Sequence, residues 1–191
     1  LSARLADAKF FWDNDLRIIN TSGLDLWLEK LKQVTFHNKL GSQFERVERI
    51  TNLSETIAKK IGCDPNFAKS AASISKTDLS SEMVYEFPEL QGVMGTYYAV
   101  EAGFEENIAN ACKEHYAPLG PSDKVPNSPI SIVVALADKI DTLTSFWAIN
   151  EKPTGSKDPY ALRRSALGLI RIIIENDIRI SLSDILALGN D

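Results

Sequence analysis

Two histidines, His37 and His115, and two cysteines, Cys63 and Cys112, are all that this chain of 191 residues holds of either. There is no HExxH pattern, no histidine pair at i and i+4, and no Cys/His cluster. A histidine-rich metal site is therefore excluded. The cysteines lie far apart without CxxC spacing, which argues against a zinc site or a disulfide scaffold and for a reducing compartment. No apolar run reaches the ~18 residues of a membrane span. The most apolar stretch, 166–180, is interrupted by Gly168, Arg171, Glu175 and Asn176. No signal-peptide pattern opens the chain. A soluble, cytoplasmic chain is the expectation. No P-loop and no GxGxxG is present, so no glycine loop cradles a nucleotide phosphate. Net charge is -5, which excludes a globally basic nucleic-acid binder but leaves room for a local basic face.

What is present is helical periodicity. Hydrophobic residues make up 44%, enough for a real core. The chain opens on Leu1 and closes on Asp191 just after a helical pattern, and is expected to be a segment of a larger protein. Ser2 is a candidate cap for a first helix ending at the break 20–23. Ser42 with Glu45 reads as a capping box, and Gly62 as the matching stop. Asp64-Pro65 opens a helix expected to run to about Phe87. Leu90 to Glu101 and Glu105 to Tyr116 read as helices. Residues 117–129 hold four prolines and one glycine and form the one long loop, a candidate lid or partner contact. A strongly apolar helix follows to about Ile149. Asp158-Pro159 opens another, to about Asn176, and a short helix closes at Gly189. No strand is expected. The fold class is all-α, a bundle of about eight to ten helices without a sheet of three or more strands.

Three constellations could carry function. Asp138 and Asp141 lie three apart on an apolar helix and share a face. Burying them requires a cation such as Lys76 or an arginine, or a metal. Asp78 is the other acid in an apolar context. A helical bundle with a His-Asp step and a late Asp is the plan of HD-type phosphohydrolases. Here Thr77-Asp78 and Asp138 would stand at those positions, without the histidine. His115 closes a helix, where a cation would meet the negative dipole end. Gly92-Val93-Met94-Gly95 reads as close helix packing. The run 153–164 joins a flexible turn, a helix start and the cations Lys157, Arg163 and Arg164, a pattern that attracts phosphate. Arg163 and Arg164 point about 100° apart, and Tyr160, Lys157 and Arg164 are expected to share one face.

Several of these segments, in order over almost the whole chain, resemble one family. They include Ala3 to Ala8, Lys76-Thr77-Asp78-Leu79, Glu86-Phe87-Pro88-Glu89-Leu90-Gln91-Gly92-Val93-Met94-Gly95, Leu136-Ala137-Asp138-Lys139-Ile140-Asp141 and Pro153 to Arg164. The resemblance is to the β subunit of bacterial-type glycyl-tRNA synthetase. It implies a heteromeric ligase whose α subunit carries the class II active site and uses ATP, and whose β subunit is needed for tRNA recognition. The implied partners are that α subunit and the tRNA for glycine, with no DNA and no membrane. This chain is similar to the helical, HD-like middle of β, a region that lacks the HD histidines. The expected organisation is a helical lead-in over 1–35, an HD-like helical domain over 36–150 and a C-terminal helical extension over 151–191. The expectation is a segment with no catalytic residue, no cofactor and no metal. Lys157, Arg164 and Arg163 are its candidate tRNA contacts, and Thr77, Asp78 and Asp138 stand as structural remnants of an HD centre. The alternative is a metal-dependent HD-type phosphohydrolase acting on a nucleotide.

Overall fold

A computed structural model describes residues 2–190. Among them eleven α-helices form in chain order: α1 (Ser2–Ser22), α2 (Asp25–Lys30), α3 (Gln43–Ile61), α4 (Pro65–Ile74), α5 (Glu82–Glu86), α6 (Val93–Glu101), α7 (Glu106–Ala109), α8 (Ala111–Glu114), α9 (Pro129–Ala148), α10 (Leu162–Glu175) and α11 (Leu182–Ala187). The all-α expectation holds. A two-stranded antiparallel hairpin, β1 (Thr35–His37) with β2 (Gly41–Ser42), was not anticipated. Its strands are too short for the alternating pattern that marks a strand in sequence.

The long helices are built as their caps dictate. The Ser42 hydroxyl accepts from the Glu45 N–H, and the Glu45 carboxylate accepts from the Ser42 N–H at 2.6 Å, so the capping box forms. Gly62 ends α3 in the left-handed region. Asp64 caps α4 through the N–H groups of Asn66 and Phe67. The expected cap at Ser2 lies outside the described side chains. The break after α1 falls at Gly23, so Asn20 to Ser22 stay helical.

α4 does not run to Phe87. It stops at Ile74, and a 3₁₀ turn over Thr77–Ser80 and the short α5 follow. The hydroxyls of Ser75, Thr77 and Ser81 each donate to the carbonyl three residues back, at 2.8, 2.9 and 2.7 Å. Such bonds compete with helix continuation. The helix expected over 105–116 likewise divides into α7 and α8.

α9 is the axis. From Ile130 to Thr142 every residue is buried. α3, α4 and α10 pack around it, and α3 also lies along α4. One apolar cluster reaches from Ile19 to Ile185. α1 docks on α5 and α6 through Asp15. The buried Asp15 carboxylate accepts from the N–H groups of Glu82 (3.0 Å) and Met83 (3.1 Å) and from the Tyr98 hydroxyl (2.6 Å). It thereby caps a helix from another part of the chain.

The loop 117–129 is pinned down by side chains beneath it. Arg171 donates to the carbonyls of Gly120 (3.1 Å) and Asp123 (2.8 Å), and Asn176 to that of Pro126 (3.0 Å). The Ala117–Pro118 peptide is cis.

Candidate functional site

The centre of the molecule holds a buried ionic cluster. Asp138, midway along α9, accepts from Lys76 Nζ at 2.8 Å and from Arg46 at 3.1 Å on the same oxygen. Asp141, one turn on, accepts from Arg46 Nε at 3.3 Å and Arg49 Nε at 2.6 Å. Arg46 also donates to the Thr142 hydroxyl at 2.8 Å and lies over the Phe36 ring. The acids three apart on α9 thus meet two arginines three apart on α3, together with the cation anticipated, Lys76. Burial alone would push the Asp138 carboxyl up. Lys76 and Arg46 outweigh it and hold the group well below the usual carboxylate range.

Lys76 is almost wholly inaccessible. Besides Asp138, its Nζ donates to His115 Nε2 at 3.0 Å and sits over the Tyr116 ring. His115 Nδ1 lies 2.8 Å from the Ala111 carbonyl, so Nδ1 carries the proton and Nε2 accepts. Burial, then the Lys76 charge, press its pKa down to about 3. His115 is therefore a neutral acceptor, not the dipole-facing cation expected from its place at a helix end.

Asp78 is held differently. Its Oδ2 accepts from the N–H groups of Gly92 (2.5 Å) and Gly95 (3.1 Å). A Cβ on Gly95 would stand 3.1 Å from that carboxyl, and Gly92 has φ +79° with the Cys112 carbonyl where its Cβ would be. The two glycines therefore serve an internal carboxylate as well as close packing. Burial raises the Asp78 pKa to about 6, against the pull of those two N–H groups and Lys76. Thr77 donates to the Ile74 carbonyl and does nothing further.

This donor set does not fit a metal. Asp138 faces an ammonium and a guanidinium, and Asp78 faces backbone N–H groups. Among the described residues no group of three or more His, Cys, Asp or Glu could hold an ion. His37 is committed to the Lys39 N–H and the Tyr160 hydroxyl, and packs edge-on to Phe146. The phosphohydrolase alternative finds no support.

A cavity of about 290 Å³ opens beside the cluster, lined by Arg46, Lys76, Asp138 and Lys139 on one side and by Phe146, Tyr160 and Arg164 on the other. Lys139 Nζ donates to the carbonyls of Ala117 (2.9 Å) and His115 (3.3 Å). Its stem runs past Gly168, where a Cβ would come within 2.7 Å of it. Burial lowers its pKa to about 8.

Of the three cations expected to meet phosphate, Arg164 reaches this cavity, and both Arg163 and Arg164 line the neighbouring groove under Pro118 and Leu119. Lys157 stands apart in the turn that pairs with Thr154. All three are exposed and form no ion pair among the described residues. The helix start is not as expected. α10 begins at Leu162 after Ala161 at φ +53°, so Tyr160 is not on the helix and the shared face with Lys157 does not form. The Asp158 carboxylate takes the N–H groups of Leu162 (2.8 Å) and Arg163 (3.0 Å), which are therefore not free for a phosphate. Sequence reasoning named neither Arg46 nor Arg49, nor Lys139 as a separate feature. The i, i+3 match between the arginines and the acids was the signal available.

The family described as glycyl-tRNA synthetase beta subunit matches residues 1–190. The glycine–tRNA ligase beta subunit of Ruegeria sp. (strain TM1040) is 64% identical over 188 residues, 98% of this chain and 27% of that protein. Those of Dinoroseobacter shibae and of Cereibacter sphaeroides (strain ATCC 17029) are 64% and 61% identical, over 95% and 97% of this chain and 25% and 27% of theirs. The chain spans about a quarter of the length of these relatives. No described helix is long and apolar enough to cross a membrane. On a match that runs almost end to end, the chain belongs to the glycyl-tRNA synthetase β subunit family.

Proposed function

We propose that this segment is a non-catalytic part of a glycine–tRNA ligase β subunit. It positions the tRNA for glycine, the catalytic α subunit, or both, for ATP-dependent attachment of glycine. The observation that carries this reading is the near end-to-end match to glycine–tRNA ligase beta subunits. It is supported by the buried acids of the core, since Asp138 and Asp141 are paired with Lys76, Arg46 and Arg49, and Asp78 accepts from two backbone N–H groups. Arg163, Arg164 and Lys157 are the RNA contacts, acting on phosphates without reading sequence.

Replacing Lys157 and Arg164 with alanine in the complete αβ enzyme tests this. Loss of two phosphate contacts flattens the log–log salt dependence of tRNA binding by roughly one to two units. An unchanged slope with a lowered Tm would assign these residues to the fold. The segment alone, free of α, is expected to give no glycine-dependent pyrophosphate exchange.

A further inference from the structure

The cavity beside Asp138 has more cation than its acid can answer. Arg46, Lys76, Lys139 and Arg164 all line it, against the single carboxylate of Asp138. Arg46 is answered by Asp141 as well, which it shares with Arg49, and this leaves Lys139 and Arg164 as the cations without a direct ion pair among the described residues. Lys76 is matched by Asp138. Lys139 is not matched: its ammonium touches only two carbonyl oxygens, and it has three protons to donate. Arg164 has no ion pair among the described residues. Asp138, the acid whose charge acts on Lys139, is already bonded to Lys76 and Arg46, so a bound anion would relieve the cost of burying this further cation. The lining also includes Phe146 and Tyr160, which stack on each other at 4.1 Å, with Phe146 itself buried.

We propose that this cavity binds the phosphate group of a small phosphate ester. Lys139 and Arg164 hold the phosphate oxygens, and the organic part of the ligand lies beside the Phe146–Tyr160 pair. Lys139 comes from α9 and Arg164 from α10, so the phosphate bridges two packed helices. The glycine at 168 is what lets the Lys139 stem pass between them. The phosphate could be carried by a free nucleotide or by the end of an RNA chain. The site shares Arg164 with the tRNA reading, and Lys139, which has no part in that reading, is the residue that tests the two apart.

The test is hydrogen exchange of the complete αβ enzyme, read by mass spectrometry on the peptides covering 116–120 and 161–168. Inorganic phosphate is compared with chloride at equal ionic strength, and AMP with adenosine. Phosphate and AMP are expected to slow exchange in both segments several-fold, and adenosine is expected to do nothing. Arg164→Ala, at an exposed position, and Lys139→Met, which keeps the stem volume, should each abolish the effect. Lys139→Met also takes a donor from the carbonyls of His115 and Ala117, so the loss of protection is read well below that variant's own Tm. A 5′-phosphorylated hexaribonucleotide and its dephosphorylated form separate the two sources. Protection by the RNA at lower concentration than AMP assigns the site to an RNA end, and the reverse order assigns it to a free nucleotide. Equal protection by adenosine and AMP, no difference between phosphate and chloride, or protection that survives in both variants would overturn the proposal.

Discussion

Neighbouring residues in this core respond to pH in opposite directions. His115 has its folded pKa pressed from 6.5 to about 3, so the unfolded chain takes the proton first on acidification. Its contribution to stability is complete above pH 6.5 and is lost as pH falls from there toward 3. Asp78 has its folded pKa raised from 3.8 to about 6. Its contribution is complete below pH 3.8 and is lost as pH rises through 6. Between roughly pH 4 and 6 the two oppose each other, which flattens the stability profile. His115→Gln keeps an acceptor for Lys76 and removes the titration. Urea unfolding of this variant is expected to show stability rising from pH 6.5 to 4 relative to the parent chain. Parallel curves for the two proteins would place the His115 pKa near its ordinary value. Lys139 acts in the same direction as His115, in a higher pH window. With its pKa lowered to about 8, the cost of burying its charge is present at neutral pH and is relieved as pH rises from about 8 toward 10.5.

At the scale of elements, caps decide where helices begin, and one cap comes from far away in sequence. Asp15 of α1 satisfies two N–H groups of α5 and the Tyr98 hydroxyl of α6. Asp15→Ala leaves several buried donors without an acceptor. It is expected to cost about 1–3 kcal/mol per unsatisfied group, read as a lower midpoint in chemical denaturation. Ser42→Ala removes a local cap and should cost only about 1 kcal/mol. The same contrast explains what could be read from sequence. Ser42 with Glu45, Asp64-Pro65 and Gly62 act within three or four residues, so α3 begins and ends as expected and α4 begins as expected. The stop at Ile74 depends on which hydroxyls turn back onto the chain, and the start of α10 on Asp158 reaching four and five residues ahead over a left-handed Ala161. Neither has an unambiguous sequence signature. The site was half legible for a related reason. Buried acids announce that they need cations, but only the packing of α3 against α9 says that Arg46 and Arg49 are those cations. The loop 117–129 looked free because prolines and a glycine say nothing about Arg171 and Asn176 beneath it.

At the scale of the whole molecule, the ionic cluster joins parts of the chain that local forces do not bring together. Arg46 lies on α3, Lys76 between α4 and α5, His115 at the end of α8, and Asp138 in the middle of α9. Hydrophobic burial draws these elements together, but it does so without direction. The cluster adds a requirement of register: one turn of slip on α9 would carry one acid toward the other's place and leave either Lys76 or the arginines without a carboxylate. A buried pair gives little net stability, because desolvation offsets most of the attraction, whereas breaking it by removing one partner costs about 3–5 kcal/mol. Asp138→Asn is the sharpest version of that break. The volume is kept, and Lys76 and Arg46 lose the only carboxylate that Lys76 touches. The expected loss is therefore in that range, on the order of a third of a domain's stability. The double substitution Lys76→Met with Asp138→Asn removes the stranded ammonium and should recover a large part of the loss. The two changes should couple by about 0.5–3 kcal/mol in a double-mutant cycle. Additive losses in the cycle would mean that water already screens Lys76 from Asp138. The cluster would then be a consequence of how these helices pack, with no part in setting their register.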